Sequence, residues 1–395
     1  MNIVCPKCYA KGLKKCFCIL RERIKLEKNI NQNFKKEFFG ENYNIFVGRF
    51  GYPNINVGLV SLPEPKKDEQ YDNPNLWANK EYDINTIINL RTQMINANFK
   101  TDIKGTKLRE LYQELSLSSK PVDTEIVLEK PPTLKISFNA EATPFGPSIK
   151  LEKAKITENP KIPWKIDKIV NDELTAVESL NLLYNKGFDE HYLTKIFSAG
   201  NIGRTTEKKL VPTRWSITAV DDTLGKNIIT EIKEYKHIDY NIYFGGYLGN
   251  YYVILTYPEP WSYELFETYL KTGEFSTDHE NYYGRKDYAI NTVGGYYASR
   301  LSILQKLKEQ KRQGTVLALR FITDEYWAPL GVWVVREATK KAMNSEPINF
   351  SDKKSMMKYA IEFVKETFGY DLNQIFKKSI LIRTLNSQKK IGDYG

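Results

Sequence analysis

Asn241-Ile-Tyr-Phe-Gly-Gly-Tyr-Leu-Gly-Asn-Tyr-Tyr-Val-Ile-Leu-Thr256 is the stretch whose reading decides the fold class. Tyrosine and branched aliphatic residues crowd both halves, and Leu248-Gly249-Asn250 supplies a turn between them, so the run predicts a β-hairpin. Toward the C-terminus, residues 262–270 predict a short aromatic helix stopped at Gly273, and residues 292–311 a longer one. Residues 316–322 and 332–335 predict apolar strands, and residues 353–367 a further helix. Toward the N-terminus, residues 19–33 carry a helical pattern, while Ile45-Phe46-Val47 and Ile55-Asn56-Val57 predict strands around a turn marked by Gly51 and Pro53. Residues 61–78 have the composition of a long loop, after which Asp83 caps a helix with apolar positions Ile84, Ile87, Ile88 and Met94 or Ile95. Residues 120–147 alternate short β-rich stretches with Pro and Gly. A helix opens at Asn171 or Asp172 with Leu174, Val177, Leu180 and Leu183 on one face. Strands and helices are interspersed without a βαβ rhythm, so the expected class is α+β, a mixed or antiparallel sheet with surrounding helices.

A chain of 395 residues is too long for one ordinary hydrophobic core, so two or three packed subdomains are expected. With 41% hydrophobic and 13% aromatic residues, it is not an intrinsically disordered chain. It holds no apolar run of about eighteen residues, and cysteines and lysines stand where a signal peptide needs an apolar stretch. A cytoplasmic protein with no membrane partner is therefore expected. Lys plus Arg number 58 against 48 for Asp plus Glu, a net charge of +10 that draws polyanions or acidic partners, although a solvated lysine-rich surface has the same count.

Cys5-Pro-Lys-Cys8 and Cys16-Phe-Cys18 contain every cysteine of the chain. A pair separated by two residues forms a knuckle whose thiolates converge, and a second pair just beyond closes a tetrahedral site, so residues 1–20 are expected to form a small four-cysteine zinc finger. An iron–sulfur cluster is the alternative. Four cysteine ligands leave no open coordination position, which makes the ion structural rather than catalytic.

Polar chemistry concentrates in three places. Residues 198–222 combine glycines with Arg204, Lys208, Lys209 and Arg214 and end on Asp221-Asp222: the cations can clamp phosphate and the carboxylates can hold a divalent metal at a separate site. The bland reading is a basic loop entering a strand, with Asp221 and Asp222 in the turn beyond it. His279 stands between Asp278 and Glu280 in an expected polar loop, as a general base or metal ligand, with Arg285 and Arg300 following; a surface histidine is the alternative. Arg49 and Arg336 complete the phosphate-binding candidates, Arg336 within an aromatic segment around Trp327 and Trp333 that more often denotes core. No P-loop, dinucleotide fingerprint, nucleophile elbow or zinc-protease motif is present.

The sequence ends in Gln388-Lys-Lys-Ile391-Gly-Asp-Tyr394-Gly395, which fits the pattern Gln-x-x-(Ile/Leu/Met)-x-x-aromatic used to dock on the sliding clamp (PCNA). In one peptide turn Ile391 and Tyr394 would plug an apolar pocket while Gln388 hydrogen-bonds beside it, and residues 387–395 are expected to be a flexible docking tail. Four longer strings stand beside the finger and this tail: Val47-Gly-Arg-Phe-Gly-Tyr-Pro53, Leu210-Val-Pro-Thr-Arg-Trp-Ser-Ile-Thr-Ala-Val-Asp-Asp222, Gly294-Gly-Tyr-Tyr-Ala-Ser-Arg300 and Pro329-Leu-Gly-Val-Trp-Val-Val-Arg336. Together these features resemble the archaeal Nre family of DNA repair proteins. The resemblance implies a role in DNA repair coupled to the clamp, and two regions divided near residue 280, read as 21–280 and 281–386. Three readings follow: a repair factor acting on DNA or a nucleotide, a metal-dependent phosphodiesterase or nucleotide hydrolase using Asp221, Asp222 and His279, and a non-enzymatic adaptor.

Overall fold

The computed structural model describes residues 34–66, 68–133 and 146–387. The zinc ligands Cys5, Cys8, Cys16 and Cys18, the helix expected over 19–33, and the docking residues Gln388, Ile391 and Tyr394 lie outside them. The chain divides into two compact units, Met1–Leu224 with Trp327–Leu330, and Gly225–Tyr326 with Gly331–Gly395. The boundary read near residue 280 falls inside the second unit.

The first unit is built on a closed five-stranded barrel. Strands β1 (Glu37–Val47), β2 (Asn54–Leu62) and β3 (Ile95–Asp102) form an antiparallel meander; β3 pairs in parallel with β5 (Ser148–Ile156), and β4 (Val122–Leu128) lies between β5 and β1. Closure depends on β1 serving two neighbours: Glu37 to Asn42 pair with β4, and a register shift between Asn42 and Asn44 marks the bulge beyond which β1 runs with β2 alone. An extra residue bends a strand and raises its twist, which lets it turn a barrel corner. Alternate residues fill the interior, among them Ile45, Val47, Ile55, Val57, Ile95, Ala97, Phe99, Val122 and Ile126. Of the flanking helices α1 (Pro74–Asn79), α2 (Ile84–Gln93) and α3 (Arg109–Leu117), the last packs Tyr112 and Leu115 into this core. Asp83 caps α2 as expected, its side chain accepting from the Thr86 amide at 2.8 Å, and Ile84, Ile87 and Ile88 are buried, but the helix stops at Gln93, with Met94 extended and Ile95 opening β3. The stretch 61–78 is not wholly loop, since it completes β2 and opens α1.

Three further helices, α4 (Trp164–Val170), α5 (Ala176–Asn185) and α6 (Glu190–Ser198), follow the barrel. The helix expected from Asn171 or Asp172 starts later. Thr175 and Glu178 form a reciprocal capping box that fixes the start of α5, and Val177 faces solvent while Leu180 and Leu183 are buried. Next comes α7 (Thr213–Ile232), within which the division between units falls. A strand ending in a turn at Asp221-Asp222 was one expectation here, and the structure corrects it. Pro212 leads the segment in, its carbonyl accepting from the Trp215 and Ser216 amides at 2.8 and 2.9 Å, so the following residues wind as helix despite their β-branched content.

The second unit carries a six-stranded mixed sheet, in which β7 (Tyr240–Tyr247), β8 (Asn250–Tyr257), β9 (Ser262–Tyr269), β10 (Phe275–Glu280), β12 (Thr315–Ile322) and β13 (Ile348–Phe350) take the order β10-β9-β12-β8-β7-β13. Strand β12 runs antiparallel to β8 and parallel to β9. A separate parallel pair joins β6 (Lys236–His237) to β11 (Arg312–Gln313). The hairpin predicted from 241–256 is β7–β8, with Leu248 at φ 52° and Gly249 at φ 72° making a two-residue turn.

Helices α8 (Val293–Gln310) and α9 (Trp333–Met343) lie on one side of the sheet. Gly245 permits close approach there, because a Cβ on it would stand 2.8 Å from the Ala342 Cα. The opposite side is apolar: Val253, Leu255, Leu317, Leu319 and Phe321 meet Met356, Ala360 and Val364 of α10 (Lys353–Phe368), with α11 (Asn373–Lys378) and α12 (Ile380–Ser387) completing the cover.

Two expectations fail in this unit. Residues 262–270 form β9, not an aromatic helix, and 332–335 open α9 instead of making a strand. Both runs are buried on every side, so neither shows a one-sided periodicity, and a short apolar run reads equally as strand or helix.

Candidate nucleic-acid interface

Between β1 and β2 the chain reverses through Gly48-Arg49-Phe50-Gly51-Tyr52-Pro53. Gly51 takes φ 82°, and its carbonyl accepts from the Asn54 amide at 2.8 Å; the Tyr52–Pro53 bond is cis, and the Pro53 carbonyl accepts from the Ile103 amide at 3.0 Å. These bonds anchor the loop while its side chains point outward. Phe50 is 80% exposed with the Arg49 guanidinium 5.1 Å from its ring centre, and Tyr52 lies 5.2 Å from the ring of Trp215. Trp215 and Arg214 are both exposed at the start of α7. That end of the helix is tied to the barrel: the Val47 amide donates to Thr213 Oγ1 at 2.9 Å, and Thr213 and Ser198 hydroxyls lie 3.1 Å apart.

The loop continues onto the outer face of the barrel. Phe46 registers with Gly58, Gly58 with Asn98 and Asn98 with Lys150; one row along, Asn56 registers with Lys100. Phe46, Asn56, Lys100 and Lys150 are exposed, and Lys150 makes a solvent-exposed 3.7 Å ion pair with Glu129. Aromatic rings, guanidinium and ammonium groups and carboxamides thus share one face, the mixture that suits bases and phosphates together.

Of the other sequence candidates in this unit, Arg204 and Lys209 are exposed on the loop preceding α7. Lys208 is half-buried, its Nζ donating to the Val170 carbonyl at 2.5 Å, and burial lowers its pKa against the opposing pull of Glu173. Asp221 is buried and Asp222 half-buried on α7. Consecutive helix positions diverge by about 100°, so they do not form the convergent carboxylate pair that the turn reading implied. Among the described residues neither belongs to a cluster of potential metal ligands. Sequence reading passed over Lys195, whose Nζ donates to the Ser118 carbonyl at 2.8 Å and whose pKa burial pushes down to about 8, against Asp72 and Asp189. Nothing in its local pattern distinguishes it from a surface lysine.

In the second unit the predicted polar loop is strand β10. Strand alternation puts Asp278 and Glu280 on one face and His279 on the other, so the histidine does not share a site with its sequence neighbours. His279 registers with the buried Glu264, and burial lowers its pKa. Asp278 accepts from the Thr292 amide at 2.8 Å and from its hydroxyl at 2.9 Å, holding the start of α8. Arg285 is committed to the His279, Asp287 and Tyr288 carbonyls and to Asp278 at 3.2 Å. Arg300 is 1% exposed and paired with Glu280 at 2.7 Å, and Glu280 also accepts from Trp261 Nε1 at 3.1 Å. Arg336 is buried as well. Expected as phosphate ligands, Arg285 and Arg300 are instead held by carboxylates and carbonyls, and Arg336 is enclosed in the core, where a charge needs a partner because leaving it alone is too costly.

The fold and this face define an α+β protein that presents a cationic, aromatic barrel surface to solvent. Family models describe the same chain in two parts: archaeal Nre, N-terminal, matches residues 11–276, and archaeal Nre, C-terminal, residues 280–394. The chain belongs to the archaeal Nre family. Among its relatives, the DNA repair protein NreA of Archaeoglobus fulgidus is 38% identical over 88% of this chain and 90% of its own. The DNA repair protein NreB of the same organism is 36% identical over 86% and 87%. The DNA repair protein NreA of Haloferax volcanii is 34% identical over 78% of each. No solved structure matches the chain. No helix among the described residues is long and apolar enough to cross a membrane.

Proposed function

We propose that this protein is a cytoplasmic DNA repair factor that docks on the sliding clamp through Gln388, Ile391 and Tyr394 and offers a basic surface to DNA. The observation that carries the reading is the 34–38% identity, spread over most of both chains, to relatives named DNA repair proteins. Local support comes from Arg49 and Arg214 flanking exposed rings on the first unit, where cations meet phosphate without first leaving a buried pair. Cys5, Cys8, Cys16 and Cys18 supply four thiolates, a donor set that suits a structural zinc ion and leaves it no free position for catalysis.

Calorimetry with the sliding clamp tests the docking part, comparing the full chain with one ending at Ser387. Heat of binding from the full chain and none from the shorter one is expected; equal binding by both would remove the tail from the reading. Metal analysis of the purified chain should find about one zinc per molecule, lost in Cys5→Ser. Iron, or no metal, would overturn the zinc assignment.

A further inference from the structure

The barrel has strand order 1-2-3-5-4 with a helix between its third and fourth strands, the Greek-key arrangement of the oligonucleotide/oligosaccharide-binding fold. In that architecture ligands lie across strands 2 and 3 beside the loop joining strands 1 and 2. Fold alone does not assign a ligand, because such barrels hold many unrelated ones, so the surface chemistry has to decide.

Here the β1–β2 loop is the six residues 48–53, and it carries Phe50 at 80% exposure together with Arg49 and Tyr52. Leaving a phenylalanine ring this far in water gains nothing for folding. Beside it Trp215 extends the aromatic surface and Arg214 its charge. The row Phe46, Gly58, Asn98, Lys150 crosses four strands, roughly 14 Å at ordinary strand spacing, and the Asn96 carboxamide lies over the buried Gly58. Lys100 and Asn56 lie alongside. Of the exposed carboxylates near this face, Glu129 is paired with Lys150 at 3.7 Å and Asp102 turns back to accept from the Lys104 amide at 2.8 Å.

We infer that this face binds single-stranded nucleic acid, with unpaired bases stacking on Phe50 and on the Tyr52–Trp215 pair and the backbone tracking Arg49, Arg214 and Lys100. A duplex hides the faces of its bases and presents phosphates alone, so it can use the cations but not the rings; a single strand uses both. A sugar chain would also lie on aromatic rings, but it has no charge for the three cations to meet. The inference rests on the reading of the protein as a DNA-binding repair factor and deepens it by naming the form of DNA and the residues.

The test uses the full chain and a fluorescein-labelled oligothymidylate of roughly 16 nucleotides, the upper site size for one such barrel, against a duplex of equal length. Fluorescence anisotropy should show the single strand bound more tightly. Phe50→Ala and Trp215→Ala, both at exposed positions, should each weaken single-strand binding on the order of tenfold and leave duplex binding unchanged. Phe50→Trp should restore it. Arg49→Ala should weaken both and lower the salt dependence of single-strand binding by about one ion. Single-strand binding that is unchanged in both aromatic variants, or no tighter than duplex binding, overturns the assignment of this face but leaves a DNA-binding repair factor standing. Failure of the chain to bind either DNA removes both.

Discussion

The outer face of the barrel and the α8–α9 side of the six-stranded sheet use the same residue types in opposite ways. On the barrel and the adjoining start of α7, Lys100 and Arg214 are exposed and Arg49 is half-buried beside the exposed Phe50. On the α8–α9 side of the sheet, Arg300 of α8 and Arg320 of β12 are buried and matched to Glu280 and Glu267, and Arg320 also donates to Asn250 at 3.1 Å. Charge that is solvated and unordered by neighbours is available to a ligand, whereas charge enclosed with its partner specifies packing. An arginine in a sequence is therefore not evidence of a phosphate site until its burial is known.

The largest effect that would sharpen this contrast is in the enclosed pair. Glu280→Ala removes the carboxylate that Arg300 meets at 2.7 Å in the interior and should cost about 3–5 kcal/mol in urea denaturation, while replacing both residues with apolar ones should recover much of that loss. A cost near zero for Glu280→Ala would break the comparison. Next comes Glu264, buried on the other side of the sheet, which accepts from the Ser379 hydroxyl and from the Ile380 and Leu381 amides at 3.0 Å, holding the first turn of α12. Glu264→Ala should cost about 2 kcal/mol and release the C-terminal helix first, seen as faster amide exchange over Ile380–Ser387.

A smaller and pH-dependent effect belongs to His279. Burial depresses its pKa below the ordinary 6.5, so the unfolded chain takes up a proton first as pH falls. The histidine's contribution is thus fully present above that value and is lost as pH drops through the depressed folded-state pKa. Wild type should lose more stability between pH 7 and pH 5 than His279→Gln, and parallel curves would contradict this. Smallest of all, Arg214→Ala at an exposed position and Arg49→Ala at a half-buried loop position should change stability by no more than about 0.5 kcal/mol, as positions outside the core do. A large loss there would mean that these cations hold the fold and are not free for DNA.

Much of the fold was legible where a turn, a cap or one water-facing side marks an element. The hairpin β7–β8 followed from its turn although β8 is covered on both sides, α2 from its Asp83 cap, the paired strands around Arg49 from their turn, and α10 from one-sided periodicity. Legibility failed for β9 and the start of α9, which are covered on both sides, and for α7, where the Pro212 entry outweighed β-branched residues. The candidate site was legible in part. Arg49 and Arg214 were singled out, but as members of a scattered set that also held Arg285, Arg300 and Arg336, and Phe50 was quoted without a role.

What the sequence by itself determined is what depends on neighbours along the chain: the α+β class, the family membership carried by its long strings, and the spacing of the cysteines and of the terminal motif. Tertiary structure alone decided which charges are enclosed and which strands close the barrel. The parallel pairing of β3 with β5 joins Asn96 to Ser148 and Asn98 to Lys150 across half a hundred residues of chain. No local pattern encodes such a pairing, because its stabilisation comes only once the intervening loop has been closed and both strands have buried their inner faces together.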